Sequence, residues 1–107
     1  MKIDWIPVTP DTVPNKTPDA TKPCYLVTIL NKDGVTRDTI IAEWGPVAPV
    51  PREKYKNDPF LKDCIFDDWA FGEIGPYGIE FVVKAIAWAY MPDPYMGEVV
   101  RKDENLE

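Results

Sequence analysis

The fold is decided by residues 24–44, CYLVTILNKDGVTRDTIIAEW. Residues 24–30 are apolar on both alternating faces, which predicts a strand in the interior of a sheet. The turn Asn31-Lys32-Asp33-Gly34 follows, and Gly34 can supply the positive φ of a bulged hairpin. Residues 35–44 then place Ile40, Ala42 and Trp44 on one face and mostly polar side chains on the other, as in an antiparallel partner with one wet face. This stretch therefore predicts a β-hairpin.

The segments that flank the hairpin give weaker signals. Residues 3–8 predict a short first strand that ends at Pro7 or just beyond, and residues 9–23 predict a loop with several turns. Residues 45–51 break regular structure, and residues 52–56 predict one helical turn because Pro51 suits a first helical position. Residues 63–71 predict a short strand, and residues 72–78 predict turns. Residues 79–91 fit either a helix or a strand, and their aromatic and β-branched residues favour the strand.

Together these elements predict a mainly β (or α+β) fold. We expect a small single antiparallel sheet with a central hairpin 24–44, Pro-rich connecting loops and at most one or two short helices. A chain of 107 residues has the size of a single domain. We assign residues 1–105 to that domain, and Leu106-Glu107 could be a cloning scar.

Composition and charge limit which cellular compartment and which binding partners fit this chain. A net charge of −6 and a pI of about 4.6 disfavour direct binding to nucleic acid backbones or anionic membranes. The longest apolar stretch, Phe81 to Met91, contains Lys84 and is too short to span a bilayer. The first residues lack the apolar region of a signal peptide. These observations predict a cytoplasmic protein in which Cys24 and Cys64 are free thiols, with Cys24 a small core residue.

The aromatic residues predict both a core and an interaction surface. Trp5, Trp44 and Trp88 each lie in or at the end of a predicted strand, so we expect them to pack together. The acidic, turn-rich segment that follows residue 66 makes complete burial of its aromatic residues harder. An aromatic patch with an acidic rim suits a protein partner or self-association. The candidate interaction residues are Asp67, Asp68, Trp69, Phe71 and Tyr77.

Catalytic and metal chemistry find little support in the residues. The chain has no histidine, which removes imidazole-based catalysis and imidazole metal ligation. The acidic neighbours of Cys64 disfavour a thiolate there. We predict no enzymatic activity and no cofactor. Two alternatives stay open. One is an acidic mimic of nucleic acid, and the other is a weak divalent-cation-binding or enzymatic protein that uses the acidic cluster Asp63, Asp67, Asp68 and Glu73.

Short motifs spread along the chain resemble the family catalogued as domain of unknown function 551, which comprises short phage and bacterial proteins. The resemblance is carried by Trp5-Ile6-Pro7-Val8, Pro14, Tyr25-Leu26-Val27-Thr28, Ile41-Ala42-Glu43-Trp44, Ile86-Ala87-Trp88 and Met91-Pro92-Asp93-Pro94. It implies a small β-rich domain often met in mobile elements and brings no activity with it. We therefore expect a non-enzymatic protein-interaction domain of phage or mobile-element origin.

Overall fold

The computed structural model describes residues 2–16, 24–92 and 96–100. Within these residues the chain is mainly β, and its six strands form one antiparallel sheet in the order β1-β6-β2-β3-β4-β5. One α-helix and one 3-10 turn, Lys62–Cys64, complete the described part. The elements are β1 (Ile6–Pro7), β2 (Cys24–Leu30), β3 (Arg37–Pro46), α1 (Pro49–Lys56), β4 (Trp69–Gly75), β5 (Gly78–Val82) and β6 (Ala85–Tyr90). The predicted fold class is confirmed.

The central hairpin and its turn are confirmed. β2 pairs with β3 from Cys24 opposite Glu43 to Leu30 opposite Arg37. β2 also pairs with β6, so it is an interior strand as predicted. Gly34 has a φ of 73°, the left-handed conformation expected of it. β3 begins and ends two residues later than the predicted 35–44.

The sheet curls back on itself because β5 runs almost directly into β6. Only Val83 and Lys84 separate the two strands, yet β5 pairs with β4 while β6 pairs with β2. Two hydrogen bonds span this joint: the Leu30 N–H donates to the Lys84 carbonyl at 2.9 Å and the Val83 N–H donates to the Phe71 carbonyl at 3.1 Å. One face of the sheet therefore encloses a core.

Two clusters of buried side chains fill the interior. The first lies inside the curled sheet and includes Trp44, Phe71 and Trp88. Phe71 lies between the two tryptophans, with ring centroids 4.9 Å from Trp44 and 6.2 Å from Trp88. The second cluster lies beneath α1 and contains Val47, Tyr55, Cys64, Ala70, Ile79 and Val82. The expected packing holds for Trp44 and Trp88, but Trp5 is half-buried and lies outside both clusters.

Strand structure over residues 79–91 is confirmed against the helical alternative, but it forms β5 and β6 rather than one strand. The predictions before it need larger corrections. The strand expected at 63–71 lies at Trp69–Gly75, and the turn-rich interpretation of 72–78 is wrong for most of its length. Gly72 marks a close approach of two strands, since a Cβ there would overlap the carbonyl oxygen of Phe81.

Two further differences have local causes. The helix begins at Pro49 rather than at residue 52. Amide hydrogens in the first helical turn have no acceptor within the helix, so Pro49 and Pro51, which lack them, are tolerated there. Cys24 is exposed rather than part of the core, because it starts β2 on the face opposite Tyr25. Three predictions extend outside the described residues: part of the 9–23 loop, the single domain 1–105 and the cloning scar 106–107.

Candidate functional site

The structure separates the predicted interaction residues into three locations. Asp67, Asp68 and Trp69 lie at the entry to β4, and Tyr77 lies in the turn between β4 and β5. Phe71 is only 1% exposed and belongs to the core, so its assignment to an interaction surface was wrong. Residues two apart on a strand share a face, and Trp69 and Phe71 both direct their rings towards Trp44, at 5.8 and 4.9 Å between centroids. Trp69 is half-buried, unlike the fully buried Trp44.

Asp67 and Asp68 form a tight turn whose charges are engaged by the same chain. Both have positive φ, 52° and 67°, and Phe66 and Trp69 exchange two backbone hydrogen bonds of 2.7 and 3.0 Å across them. Aspartate tolerates this conformation better than most residues. The Lys16 ammonium donates to the Asp67 carboxylate. This hydrogen bond, together with the charge of Lys16, lowers the pKa of Asp67.

Basic groups of helix α1 approach Asp68. Its Oδ1 lies 3.8 Å from Arg52 Nε and 3.9 Å from Lys56 Nζ. The acidic rim expected around Trp69 is therefore partly neutralised by Lys16, Arg52 and Lys56. Within the described residues, no three histidine, cysteine, aspartate or glutamate side chains are placed to hold a metal ion together.

Cys64 lies in the second core cluster and is only 6% exposed. Burial raises the pKa of its thiol, Asp63 and Asp58 add to this rise, and the charge of Lys84 and a hydrogen bond involving the Ala85 backbone oppose it. A nucleophilic cysteine needs the opposite shift, because the thiolate is the reactive form. Cys64 is therefore explained by packing.

An apolar concavity lies between helix α1 and strand β5, and we name it the α1–β5 groove. It has a volume of about 650 Å³. Its helix side is formed by Ala48, Pro49, Val50, Pro51, Lys54 and Tyr55, and its sheet side by Tyr77, Glu80 and Phe81. Val50 is 84% exposed, Tyr77 81% and Phe81 59%. Large apolar side chains this exposed, gathered around one concavity, are typical of an interaction site.

Direct hydrogen bonds hold the two sides of the groove together. The Ala48 N–H donates to the Ile79 carbonyl at 2.9 Å, and the Tyr55 hydroxyl donates to the Glu80 carbonyl at 3.1 Å. At the start of the helix, Arg52 Nη2 donates to the Val47 carbonyl at 2.9 Å. The bonds from Ala48 and Tyr55 occupy two carbonyls of β5, the last strand in the sheet order, whose outer edge would otherwise be open to strand pairing. The groove is therefore a preformed feature of the fold.

The chemistry of the groove suits binding. Two charged side chains line it, Lys54 and Glu80, and the Lys54 ammonium lies 5.9 Å from the centroid of the Tyr55 ring. The rest of the lining is apolar or aromatic. Among the sequence-predicted site residues only Tyr77 belongs to the groove. Val50 and Phe81 were missed because they come from segments far apart in the chain, and no local pattern reports that α1 packs beside β5.

Within residues 2–16, 24–92 and 96–100, the chain has no helix of the length and apolar character that a membrane crossing requires. No family model, curated protein or solved structure matches the chain. The resemblance to domain of unknown function 551 therefore stays a prediction.

Proposed function

We propose that this protein is a non-enzymatic interaction domain that binds a short apolar segment of a partner protein in the α1–β5 groove. The observation that carries the proposal is the convergence of Val50, Tyr77 and Phe81, all largely exposed, around one apolar concavity. Tyrosine and phenylalanine are enriched in the cores of protein interfaces, where lysine and glutamate are depleted. The groove follows this pattern, since apolar and aromatic side chains form most of its lining and only Lys54 and Glu80 are charged.

The size of the groove sets the expected strength of binding. A volume of about 650 Å³ accommodates a few side chains of a peptide, within the range typical of ligand sites. Complete burial of one large apolar side chain contributes about 1.5–3 kcal/mol to the binding free energy. The entropic cost of association and of ordering the peptide offsets much of the total from these side chains. We therefore expect affinities in the micromolar range, as for a reversible regulatory contact.

The groove lining has no cysteine, serine or threonine to serve as a nucleophile. Its ionisable side chains are Lys54, Tyr55, Tyr77 and Glu80, and the chain has no histidine to serve as a base near neutral pH. Cys64, the buried thiol, belongs to the core rather than to the groove lining. These observations support a binding role over an enzymatic one.

The acidic cluster gives less support to the two alternatives. A mimic of nucleic acid needs a continuous negative surface, but Lys16 pairs with Asp67 while Arg52 and Lys56 approach Asp68. A weak cation or enzymatic site needs converging carboxylates, and calorimetric titration with Ca²⁺, Mg²⁺ and Mn²⁺ tests it directly.

Phage or mobile-element origin and a cytoplasmic location are further parts of the proposal. They rest on the family resemblance and on the composition.

The experiment is a selection of short peptides from a random library against the wild-type protein, followed by fluorescence polarisation with the purified peptides. We expect the selected peptides to be rich in apolar residues. The variants Tyr77→Ser and Phe81→Ser should weaken their binding at least about ten-fold, because each removes an anchor of the interface.

The matched control is Ile41→Ser. Ile41 is exposed, apolar and on strand β3, away from the groove, so its replacement should leave peptide affinity unchanged. Selected peptides that bind Tyr77→Ser and Phe81→Ser as tightly as the wild type would contradict the proposal, as would equal losses in Ile41→Ser.

A further inference from the structure

The chain carries its own exposed apolar segment after the last strand. We name residues 96–100 the C-terminal apolar segment. Met96 is 88% exposed, Val99 75% and Val100 81%, and none of these residues belongs to a helix or strand. Three exposed apolar side chains within five residues match the chemistry that the α1–β5 groove requires.

We infer that the groove receives the C-terminal apolar segment of a second copy of this chain. The inference rests on the proposed function, because it names the partner of the same groove. In the described structure, groove and segment are both open to solvent, since Val50, Tyr77 and Phe81 are exposed together with Met96, Val99 and Val100. Within one copy the two apolar surfaces therefore do not cover each other, and a contact between two copies would bury both.

Charge supports this choice of partner. The helix that forms one side of the groove carries three basic residues, Arg52, Lys54 and Lys56. Arg52 and Lys56 approach Asp68, and Lys54 is the basic residue that lines the groove. Residues 91–107 carry five acidic residues against two basic ones. Opposite charges around an apolar contact raise the association rate and fix the register of binding. The acidic residues around the C-terminal apolar segment would therefore face Lys54 in the groove of a second copy.

Symmetry determines how many copies associate. Each copy contributes this groove and this segment, so two copies can exchange segments reciprocally and form a closed two-fold dimer. Two five-residue segments bury much less than the roughly 1,200 Å² at the lower end of stable interfaces. The dimer is therefore transient, with a dissociation constant on the order of 10⁻⁴ M.

The test is sedimentation velocity over a concentration series from the micromolar to the millimolar range. The wild type should shift from monomer to dimer along the series. The double variant Val99→Ser/Val100→Ser and the groove variant Phe81→Ser should each associate at least about ten-fold more weakly, while Ile41→Ser should behave as the wild type. All of these positions are exposed, so circular dichroism should show an unchanged fold.

A mixing experiment distinguishes segment exchange from any other dimer. The segment variant retains an intact groove, and the Phe81→Ser variant retains an intact segment. An equimolar mixture should therefore form mixed dimers through one remaining contact, at concentrations where neither variant associates alone. A mixture that sediments as the average of its components overturns the inference.

A wild-type protein that stays monomeric throughout the series also overturns the inference. Binding of the library-selected peptides in the groove of that monomer would leave the proposed function standing. If neither those peptides nor a synthetic peptide of residues 91–100 binds the groove, the proposed function fails as well.

Discussion

Asp33 closes the central hairpin through its side chain. Its Oδ1 accepts the N–H groups of Val35 and Thr36 at 2.9 Å each, and its Oδ2 accepts the Thr36 hydroxyl at 2.7 Å. These bonds favour the charged carboxylate and lower the pKa of Asp33 below its ordinary value of 3.8. A depressed pKa means that the stabilisation is complete above pH 3.8 and is lost as the pH falls through the lower value of the folded state.

Replacing Asp33 by asparagine should therefore lower the Tm at neutral pH, and the difference from the wild type should shrink in the acid range below pH 3.8. Thermal unfolding followed by circular dichroism at a series of pH values measures this. Asp4→Asn, an exposed change outside the hairpin, is the control. A deficit in Tm that is the same in the acid range as at neutral pH would show that the Asp33 charge does not act in this way.

The two cysteines differ in exposure, and their reactivity should follow. Cys24 is exposed and Cys64 is buried, with a pKa that burial raises. Since the thiolate is the reactive form, we expect iodoacetamide to modify Cys24 at least about ten-fold faster than Cys64 in the native protein. Mass spectrometry of peptides after timed quenching resolves the two sites. In denaturant the rates should converge, and equal rates in the native state would contradict the burial of Cys64.

At the scale of elements, Gly72 allows strands β4 and β5 to approach closely. At Gly72 a Cβ would overlap the Phe81 carbonyl oxygen and lie 2.8 Å from Ile79 Cγ2. Gly72→Ala should therefore push β4 and β5 apart and destabilise the protein by about 2–3 kcal/mol. Urea unfolding followed by tryptophan fluorescence measures the loss.

Gly45→Ala is the matched control for Gly72→Ala, because both glycines are buried within strands. At Gly45 the nearest atoms to a new Cβ belong to the Ile79 side chain at 3.7 and 3.8 Å, an ordinary van der Waals distance. Alanine should be neutral there, or stabilise by up to about 1 kcal/mol by restricting the unfolded chain. Equal destabilisation by both changes would contradict the close approach of β4 and β5.

The same contrast explains which elements could be predicted from the sequence. The hairpin 24–44 is encoded by local alternation and by a turn with Gly34, and both signals are independent of distant residues. Strand β4 contains Gly72 and Gly75 and precedes Pro76, which locally resemble turn residues. Gly72 is instead required by its neighbour β5, a long-range cause that sequence spacing does not report.

The candidate site shows the same limit. Tyr77 could be predicted because an aromatic residue in a turn-rich acidic segment is hard to bury, and it is exposed. The prediction for Phe71 was wrong because strand alternation directs its side chain into the core, away from the acidic residues that are near it in the sequence. The groove itself depends on α1 lying beside β5, which hydrogen bonds such as Tyr55 to Glu80 establish across 25 residues of sequence.

At the scale of the whole molecule, the two core clusters share the strands of one sheet. Ala70 belongs to the cluster beneath α1, and its neighbour Phe71 belongs to the cluster inside the curled sheet. Consecutive strand residues point to opposite faces, so β4 connects the two clusters through its backbone. Val27 is 0% exposed in the first cluster and Val47 is 1% exposed in the second. Loss of packing on one side should therefore weaken the other.

Val27→Ala and Val47→Ala should each lower the free energy of unfolding by about 2 kcal/mol, because each removes two buried methyl groups and leaves a cavity. The informative measurement is urea unfolding followed by tryptophan fluorescence, since Trp44 and Trp88 both belong to the first cluster. If the sheet unfolds as one unit, Val47→Ala shifts the fluorescence midpoint as far as Val27→Ala does, and far-UV circular dichroism gives the same midpoints. A fluorescence transition unaffected by Val47→Ala, with a separate earlier transition in circular dichroism, would mean that α1 and its cluster unfold independently. The groove would then depend on a local equilibrium, and its binding of peptides would fall in Val47→Ala while the curled sheet stayed folded.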